Sequence, residues 1–168
     1  MDNVAANYQL QITNHPRLTN WLVGLSALAS VAPSSSRRRL FGEMRAYVRG
    51  LPAALAGPLP TALAAQTPVE ADLALPAAEV RRLADAAALF ERRSPLGLCL
   101  RRSLVRYYFL RRAGVPLVLN FGARFQGGVA DRAITGHAWV TLNGEPYCED
   151  GENYRGFTVM LIYPNDAG

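Results

Sequence analysis

The sequence contains no lysine, and all 18 of its basic residues are arginine. This absence excludes chemistry that needs a lysine amine, such as a Schiff base or the lysine of a phosphate-binding loop. Histidine and cysteine are almost as scarce, with two of each: His15, His137, Cys99 and Cys148. Because these four lack the paired spacing of a zinc site, we expect no metal centre and few possible nucleophiles.

Long apolar runs are also missing. The strongest run covers residues 21–32, which is too short to cross a bilayer. A mostly polar stretch that includes Asp2 precedes it, with Arg17 as its only basic residue, whereas an export signal begins with a basic stretch. We therefore expect a cytoplasmic protein without a membrane span, in which both cysteines are free thiols.

The net charge of +5 is unevenly distributed. Arginines dominate residues 1–115, whereas acidic residues outnumber them in residues 116–168. Adjacent pairs such as Arg101 with Arg102 could follow a phosphate backbone, but no nucleic-acid-binding motif accompanies them. We interpret them as solvent-exposed helix faces and expect no nucleic-acid partner; an acidic peptide segment would suit them equally well.

The sequence predicts mainly helices in residues 1–75. Residues 8–12 alternate like a short strand, residues 18–31 indicate a buried helix, and Ser34 to Ser36 offer N-caps for a second helix. Gly50 and Pro52 predict the end of that second helix. Repeated prolines up to residue 76 then indicate short helical turns, so we divide the chain into a helical region, residues 1–75, and a second region, residues 76–168.

The second region begins with helices and ends with strands. Helical periodicity covers residues 76–93 and 98–110. Strand patterns follow at residues 117–124, 136–142, 145–150 and 157–163, with Asn143-Gly144 as a hairpin turn. A helical first half followed by a meander of strands predicts an α+β fold.

Cys99 lies in the first turn of its predicted helix, where unpaired backbone N–H groups and the helix dipole favour a thiolate. A cysteine peptidase or acyltransferase also needs an imidazole, and His137, on a strand after that helix, is the better candidate. His15 lies in an arm beside Pro16. The alternative is that Cys99 is a small buried hydrophobic residue and His137 a hydrogen-bonded core histidine.

Several motifs around these two residues resemble one family. They are CLRRSL at residues 99–104, RRAGVP at 111–116, GHAWV at 136–140 and the Asn-Gly turn at 143–144. Together they resemble the transglutaminase-like leader peptidases of lasso-peptide biosynthesis, in order over about residues 76–163. The resemblance implies a papain-like core, with a catalytic helix packed on a small antiparallel sheet.

The resemblance also implies roles for individual residues. Cys99 would be the nucleophile, His137 the general base and acid, and the family's carboxylate, twelve residues past the histidine, falls on Glu149. A two-residue turn instead places Asp150 opposite His137. A bulge at Pro146 would reconcile the two, so we prefer Glu149 and retain Asp150. We interpret Cys148 and Trp139 as hairpin packing.

The function implied is a cysteine peptidase that removes the leader of a ribosomally made precursor peptide through a thioester, without a cofactor. The resemblance further implies two partners, a small leader-recognition protein and an ATP-dependent asparagine-synthetase-like cyclase. Because the N-terminal residues show no winged-helix pattern, we expect the recognition protein to be separate. The alternatives are a transglutaminase-like acyltransferase or amidase, and a non-catalytic peptide-binding module.

Overall fold

The computed structural model describes residues 34–125, 134–149 and 154–165. The predicted strand at 8–12, the predicted helix at 18–31, His15 and Asp150 lie outside these ranges. The described helices are α1 (Ser35–Ala54), α2 (Leu59–Ala65), α3 (Ala77–Phe90) and α4 (Leu98–Arg112). The described strands are β1 (Val118–Phe125), β2 (Ile134–Leu142), β3 (Glu145–Pro146) and β4 (Thr158–Tyr163). The α+β prediction is confirmed.

Helix α1 is longer than the sequence predicted. It continues through Gly50 and Pro52 to Ala54, so the predicted end at these residues is wrong. Tertiary packing extends the helix beyond these residues. Leu51 lies one turn after Val48 and two turns after Met44 on the same face, and all three side chains are buried in the core. The burial of Leu51 outweighs the local helix-breaking tendency of Gly50 and Pro52.

The four strands form one antiparallel sheet in the order β3-β2-β1-β4. Asn143 and Gly144 join β2 to β3 with φ angles of 52° and 84°. A two-residue hairpin turn that matches the twist of its strands needs positive φ at both positions, which Asn and Gly adopt most easily. The predicted Asn-Gly hairpin is therefore confirmed.

Pro146 does not form the predicted bulge. It pairs directly with Thr141, and the Tyr147 N–H donates to the Val140 carbonyl at 2.9 Å, so the register runs on without an extra residue. The Thr141–Pro146 pair is a non-hydrogen-bonded one, in which the missing proline N–H is not needed. The backbone departs from a regular strand at Cys148 instead, whose φ is 54°.

The core lies between the sheet and the helices. Helix α4 packs on β2 and β1, α3 packs on α4, and α1 covers both helices. The fully buried apolar side chains of this core include Val80 and Leu83 from α3, Leu104 and Leu110 from α4, Leu119 from β1 and Val140 from β2. Within the described ranges, no helix has both the length and the apolar character needed to cross a membrane.

Replacing Leu51 with alanine tests where α1 ends. With Leu51 buried on a helix that reaches Ala54, we expect Leu51→Ala to lower the free energy of unfolding by about 2–5 kcal/mol. Denaturant unfolding followed by circular dichroism measures this loss. Val69→Ala is the control, because Val69 is 97% exposed. A loss for Leu51→Ala as small as that of the control would mean that the helix ends before Leu51.

Candidate active site

Cys99 is the second residue of α4, which follows the N-cap residue Gly97. The first bond between the cap and the helix runs from the Arg101 N–H to the Gly97 carbonyl at 3.0 Å. The N–H groups at the start of the helix have no partner within it, so they face outward beside the half-buried thiol. The first-turn position predicted for Cys99 is confirmed, and Cys99 and Cys148 are free cysteines.

A buried hydroxyl fastens α4 to β2. The Oγ of Ser103, 1% exposed, donates to the carbonyl of Ala138 at 2.8 Å. Ser103 lies one turn after Cys99, and Ala138 is the neighbour of His137 along β2. Four residues of helix correspond to about 6 Å along the axis. The start of α4 therefore lies close to the part of β2 that carries His137.

A second contact fixes the direction of α4. Near the end of the helix, Nη1 of Arg111 donates to the carbonyl of Leu117 at 2.9 Å. Leu117 precedes β1, whose first residue Val118 pairs with Thr141. The helix thus runs along β2 from the level of Ala138 towards the level of Thr141. Cys99 consequently lies at the end of β2 where His137 is found.

Aromatic side chains hold the imidazole of His137. Its ring stacks on Trp139, with centroids 5.8 Å apart and planes at 17°, and lies 5.2 Å from the ring of Phe157. Trp139 is only 5% exposed and also packs on Tyr154. Trp139, interpreted from the sequence as hairpin packing, thus contacts the predicted catalytic histidine itself.

Gly122 provides the room for this stack, a role that the sequence analysis missed. Gly122 pairs with His137 across the sheet. A Cβ at this position would lie 2.9 Å from two ring atoms of Trp139 and 3.0 Å from the Cβ of Phe157. A glycine inside a strand pattern signals such a close approach, so the sequence did hold a cue. It did not reveal which ring approaches.

Glu149 is bound by arginines of α4. Its side chain is 1% exposed, and Oε1 accepts a hydrogen bond from Nη1 of Arg106 at 3.0 Å. Its Oε2 lies 3.7 Å from Nη2 of Arg102. Arg102 and Arg106 follow Cys99 by three and seven residues, which places all three on one face of α4. The Glu149 carboxylate therefore lies over the helix face that carries the thiol.

Arg101 is only 6% exposed, so the sequence-based interpretation of this arginine as part of a solvent-exposed helix face is wrong, and it brings a buried cation to the start of α4. Its side chain folds back, and Nη1 donates to the Leu96 carbonyl at 2.5 Å in the loop before the helix. Burial lowers the pKa of Arg101, and interactions with Cys99, when ionised, and with Glu91 partly offset this effect. The guanidinium of Arg101 therefore fixes the loop that precedes Cys99.

The profile of the transglutaminase-like superfamily matches residues 44–162. This match covers more than half of the chain and includes Cys99, His137 and Glu149. The chain belongs to the transglutaminase-like superfamily. No curated protein and no solved structure matches it significantly.

Membership of the transglutaminase-like superfamily indicates a papain-like cysteine peptidase or acyltransferase kind of function. The superfamily match starts at Met44 in α1 and ends at Ile162 in β4, so α1 and α2 contribute to it beside the later elements. The division between residues 75 and 76 stays a prediction. In the described part of the chain, no three His, Cys, Asp or Glu side chains cluster as metal ligands would.

Gly122→Ala tests whether the glycine keeps Trp139 in place beside His137. The added methyl group overlaps the indole, so we expect the free energy of unfolding to fall by about 1–3 kcal/mol. In a Trp21→Phe background, the emission of Trp139 should shift as its ring moves. Gly42→Ala is the matched control, because nothing lies within 4 Å of its added Cβ. In helix α1 this alanine should stabilise by up to about 1 kcal/mol. Equal behaviour of the two variants would contradict the packing role of Gly122.

Proposed function

We propose that this transglutaminase-like chain is a cysteine peptidase that removes the leader from a ribosomally made lasso-peptide precursor. The observation that carries the proposal is the placement of Cys99 at the start of α4, which Ser103 fastens beside the strand of His137. The motifs at residues 99–104 and 136–140 support the leader-peptidase specificity, because they resemble those of the lasso-peptide enzymes.

The reaction uses the thiol and the imidazole in two steps. His137 takes the proton of Cys99 as the sulfur attacks the scissile carbonyl, and the backbone N–H groups at the start of α4 stabilise the oxyanion. The C–N bond then breaks, His137 gives its proton to the departing amine, and a thioester remains. Water, deprotonated by His137, hydrolyses the thioester and restores the thiol.

For the third member of the triad we propose Asp150, with Glu149 as a neighbouring anchor. The preference for Glu149 depended on a bulge at Pro146, which is wrong. The carboxylate of Glu149 contacts Arg106 and Arg102, so its charge is already matched by two cations of α4. Asp150 follows directly in the chain, and the two-residue turn alone predicts it opposite His137, which stays a sequence-based expectation because Asp150 lies outside the described residues. A carboxylate there would orient the imidazole and stabilise the imidazolium.

We propose two partners for this activity, a separate leader-recognition protein and an asparagine-synthetase-like cyclase. The recognition protein would hold the leader and present the cleavage site to Cys99. The cyclase would then act on the released core peptide and consume ATP. The leader peptidase itself needs no cofactor in this scheme, since thiol, imidazole and carboxylate complete the reaction.

A second candidate function is acyl transfer, which superfamily membership favours. The same thioester forms, but an amine of another molecule attacks it in place of water. The products separate the two reactions by mass, because hydrolysis leaves a carboxylic acid on the leader and acyl transfer leaves an amide. Incubation with and without an added primary amine therefore distinguishes them.

Incubating the chain with the recognition protein and the precursor peptide should release the leader, as followed by mass spectrometry. Without its nucleophile or its base, the enzyme should slow by about 10³-fold or more, so Cys99→Ala and His137→Ala should release almost none. Cys148→Asn is the control, because it removes the exposed thiol and tolerates the positive φ. Cleavage by Cys99→Ala at the parent rate would show that the nucleophile is wrong.

Comparing Asp150→Asn with Glu149→Gln tests the assignment of the carboxylate. Loss of the carboxylate that orients His137 should lower kcat by about 10³- to 10⁴-fold, so we expect this loss for Asp150→Asn. Glu149→Gln keeps the shape of the anchor and should lower kcat much less than Asp150→Asn does. Steady-state kinetics on the precursor measure both. The opposite ranking would assign the triad carboxylate to Glu149.

A further inference from the structure

A β-turn at residues 154–157 directly precedes β4. The Phe157 N–H donates to the Tyr154 carbonyl at 3.4 Å, and Gly156 is the one residue of the four with a positive φ, 77°. A turn with positive φ only at its third residue is a type II turn, and glycine adopts this φ most easily. The first and last Cα atoms of such a turn lie within about 7 Å of each other. The turn therefore brings the rings of Tyr154 and Phe157 to one region of the fold.

The two aromatic residues of this turn contact two ring residues of β2. Phe157 lies against His137, with ring centroids 5.2 Å apart and planes at 37°. Tyr154 lies against Trp139, with centroids 6.4 Å apart and planes at 31°. His137 and Trp139 stack on each other. The imidazole of His137 thus contacts one aromatic ring from its own strand and another from the turn.

Two residues of β1 hold Phe157 in this position. Gly122 pairs with His137, and a Cβ at Gly122 would lie 3.0 Å from the Cβ of Phe157, so Phe157 passes close over the strand. The guanidinium carbon of Arg124 lies 4.4 Å from the centroid of the Phe157 ring. A guanidinium is attracted to the face of an aromatic ring. Strand β1 therefore holds Phe157 by a close backbone approach and by a cation–π contact.

An imidazole on a strand needs contacts of this kind to keep one orientation. The backbone of β2 fixes the Cα of His137, but rotation of the ring about its last side-chain bond has a broad energy minimum. Proton transfer requires a ring nitrogen within hydrogen-bond reach of its partner and aligned with it. Aromatic neighbours favour a limited set of ring orientations. Trp139 and Phe157 together therefore restrict the ring more than the strand alone does.

We propose that Phe157, presented by the turn at residues 154–157, is a positioning residue that holds the imidazole of His137 in the orientation needed for proton transfer with Cys99. This inference rests on the proposed function, since the imidazole is the base and acid of that reaction. Phe157 has no ionisable group and acts only through the ring that it contacts. Trp139 restricts the imidazole from β2, and Phe157 adds a restraint from a separate part of the chain.

Replacing Phe157 with leucine tests the proposal, because leucine keeps an apolar side chain but has no flat ring. Phe157→Tyr keeps the ring and should behave like the parent. Phe90→Leu is the matched control. The Phe90 ring also contacts an aromatic ring, that of Phe41 at 5.9 Å, and an arginine, with Cζ of Arg45 at 5.8 Å. Phe90 ends α3 and is not part of the candidate site.

Gly156→Ala tests the turn without changing any ring. Alanine rarely adopts a φ of 77°, so this variant should alter the turn and displace Phe157. Gly114→Ala is the matched control, because Gly114, just after α4, has a similar φ of 81°. Nothing lies within 4 Å of an added Cβ at either glycine. The two exchanges therefore strain the backbone alike, and only Gly156→Ala should affect His137.

The first measurement observes the imidazole itself and needs no substrate. In a His15→Asn background, His137 is the only histidine, and its ring protons can be followed by NMR through a pH series, so that the neutral ring is compared in every variant. Neighbouring aromatic rings shift these resonances through their ring currents. We expect Phe157→Leu and Gly156→Ala to move the resonances, and Phe157→Tyr and both controls to keep them near the parent values. Unmoved resonances in Phe157→Leu would overturn the inference.

The second measurement is the rate at which iodoacetamide alkylates Cys99 at neutral pH. In a Cys148→Asn background, Cys99 is the only thiol. The thiolate is the reactive form, and a correctly placed imidazole raises its fraction by taking the proton. We expect Phe157→Leu and Gly156→Ala to slow alkylation about threefold or more, whereas Phe157→Tyr and both controls keep the parent rate. A purely structural Phe157 predicts a lower free energy of unfolding with an unchanged rate in the folded protein. An unchanged or faster rate would overturn the positioning role.

The third measurement is the kinetics of leader release. A misoriented imidazole slows proton transfer and leaves binding of the precursor intact, so Phe157→Leu should lower kcat about tenfold or more and change KM less than about threefold. Phe157→Tyr should restore kcat, and Phe90→Leu should change neither constant. An equal kcat in Phe157→Leu and the parent would contradict the inference.

Alkylation and leader release separate this inference from the proposed function. Slower alkylation in Phe157→Leu, without any leader release by the parent chain, would support the positioning role and contradict the peptidase. Leader release by the parent, with an unchanged alkylation rate in Phe157→Leu, would do the reverse. If Phe157→Leu does not fold, Gly156→Ala decides by the same criteria, because it leaves every ring in the chain and changes only the turn that presents Phe157.

Discussion

The docking of α4 on β2 is the constraint on which the candidate site depends. The hydrogen bond from Ser103 to the Ala138 carbonyl is buried, so breaking it would leave two polar groups without water. Apolar side chains of α4 and β2 on either side of this bond pack in the same core. With the helix held in this position, its first turn and Cys99 must lie at the His137 end of the strand. The position of Cys99 along β2 therefore follows from helix packing.

Local signals in the sequence predicted the elements that position the two reactive groups. The break around Ser94 to Gly97 placed Cys99 in the first turn of a helix, and Asn143-Gly144 placed a hairpin after β2. Both features depend on residues close together in the chain, where backbone preferences decide the structure. The end of α1 could not be predicted in this way, because the burial of Leu51 against distant residues outweighs Gly50 and Pro52.

The remainder of the site depends on contacts between residues far apart in sequence. Arg106 meets Asp85 at a separation of 21 residues and Glu149 at a separation of 43. No periodicity or turn signal encodes such pairs, and adjacent arginines in a helix look like a solvent-exposed face. The same holds for Gly122, whose need for a small residue arises from the indole of Trp139 on the next strand. A single sequence gives the type of each residue but does not show which distant residues it contacts.

Helix α4 carries Cys99 and also binds the segment that contains Glu149. Its first turn presents the thiol, and its next two turns bind the segment that leads to the carboxylate through Arg102 and Arg106. Because Cys99 and Glu149 are both held by α4, a movement of this helix displaces them together. The imidazole, by contrast, is held by β2 and by the rings of Trp139 and Phe157. In the proposed mechanism, the geometry of proton transfer between Cys99 and His137 therefore depends on how α4 packs against β2.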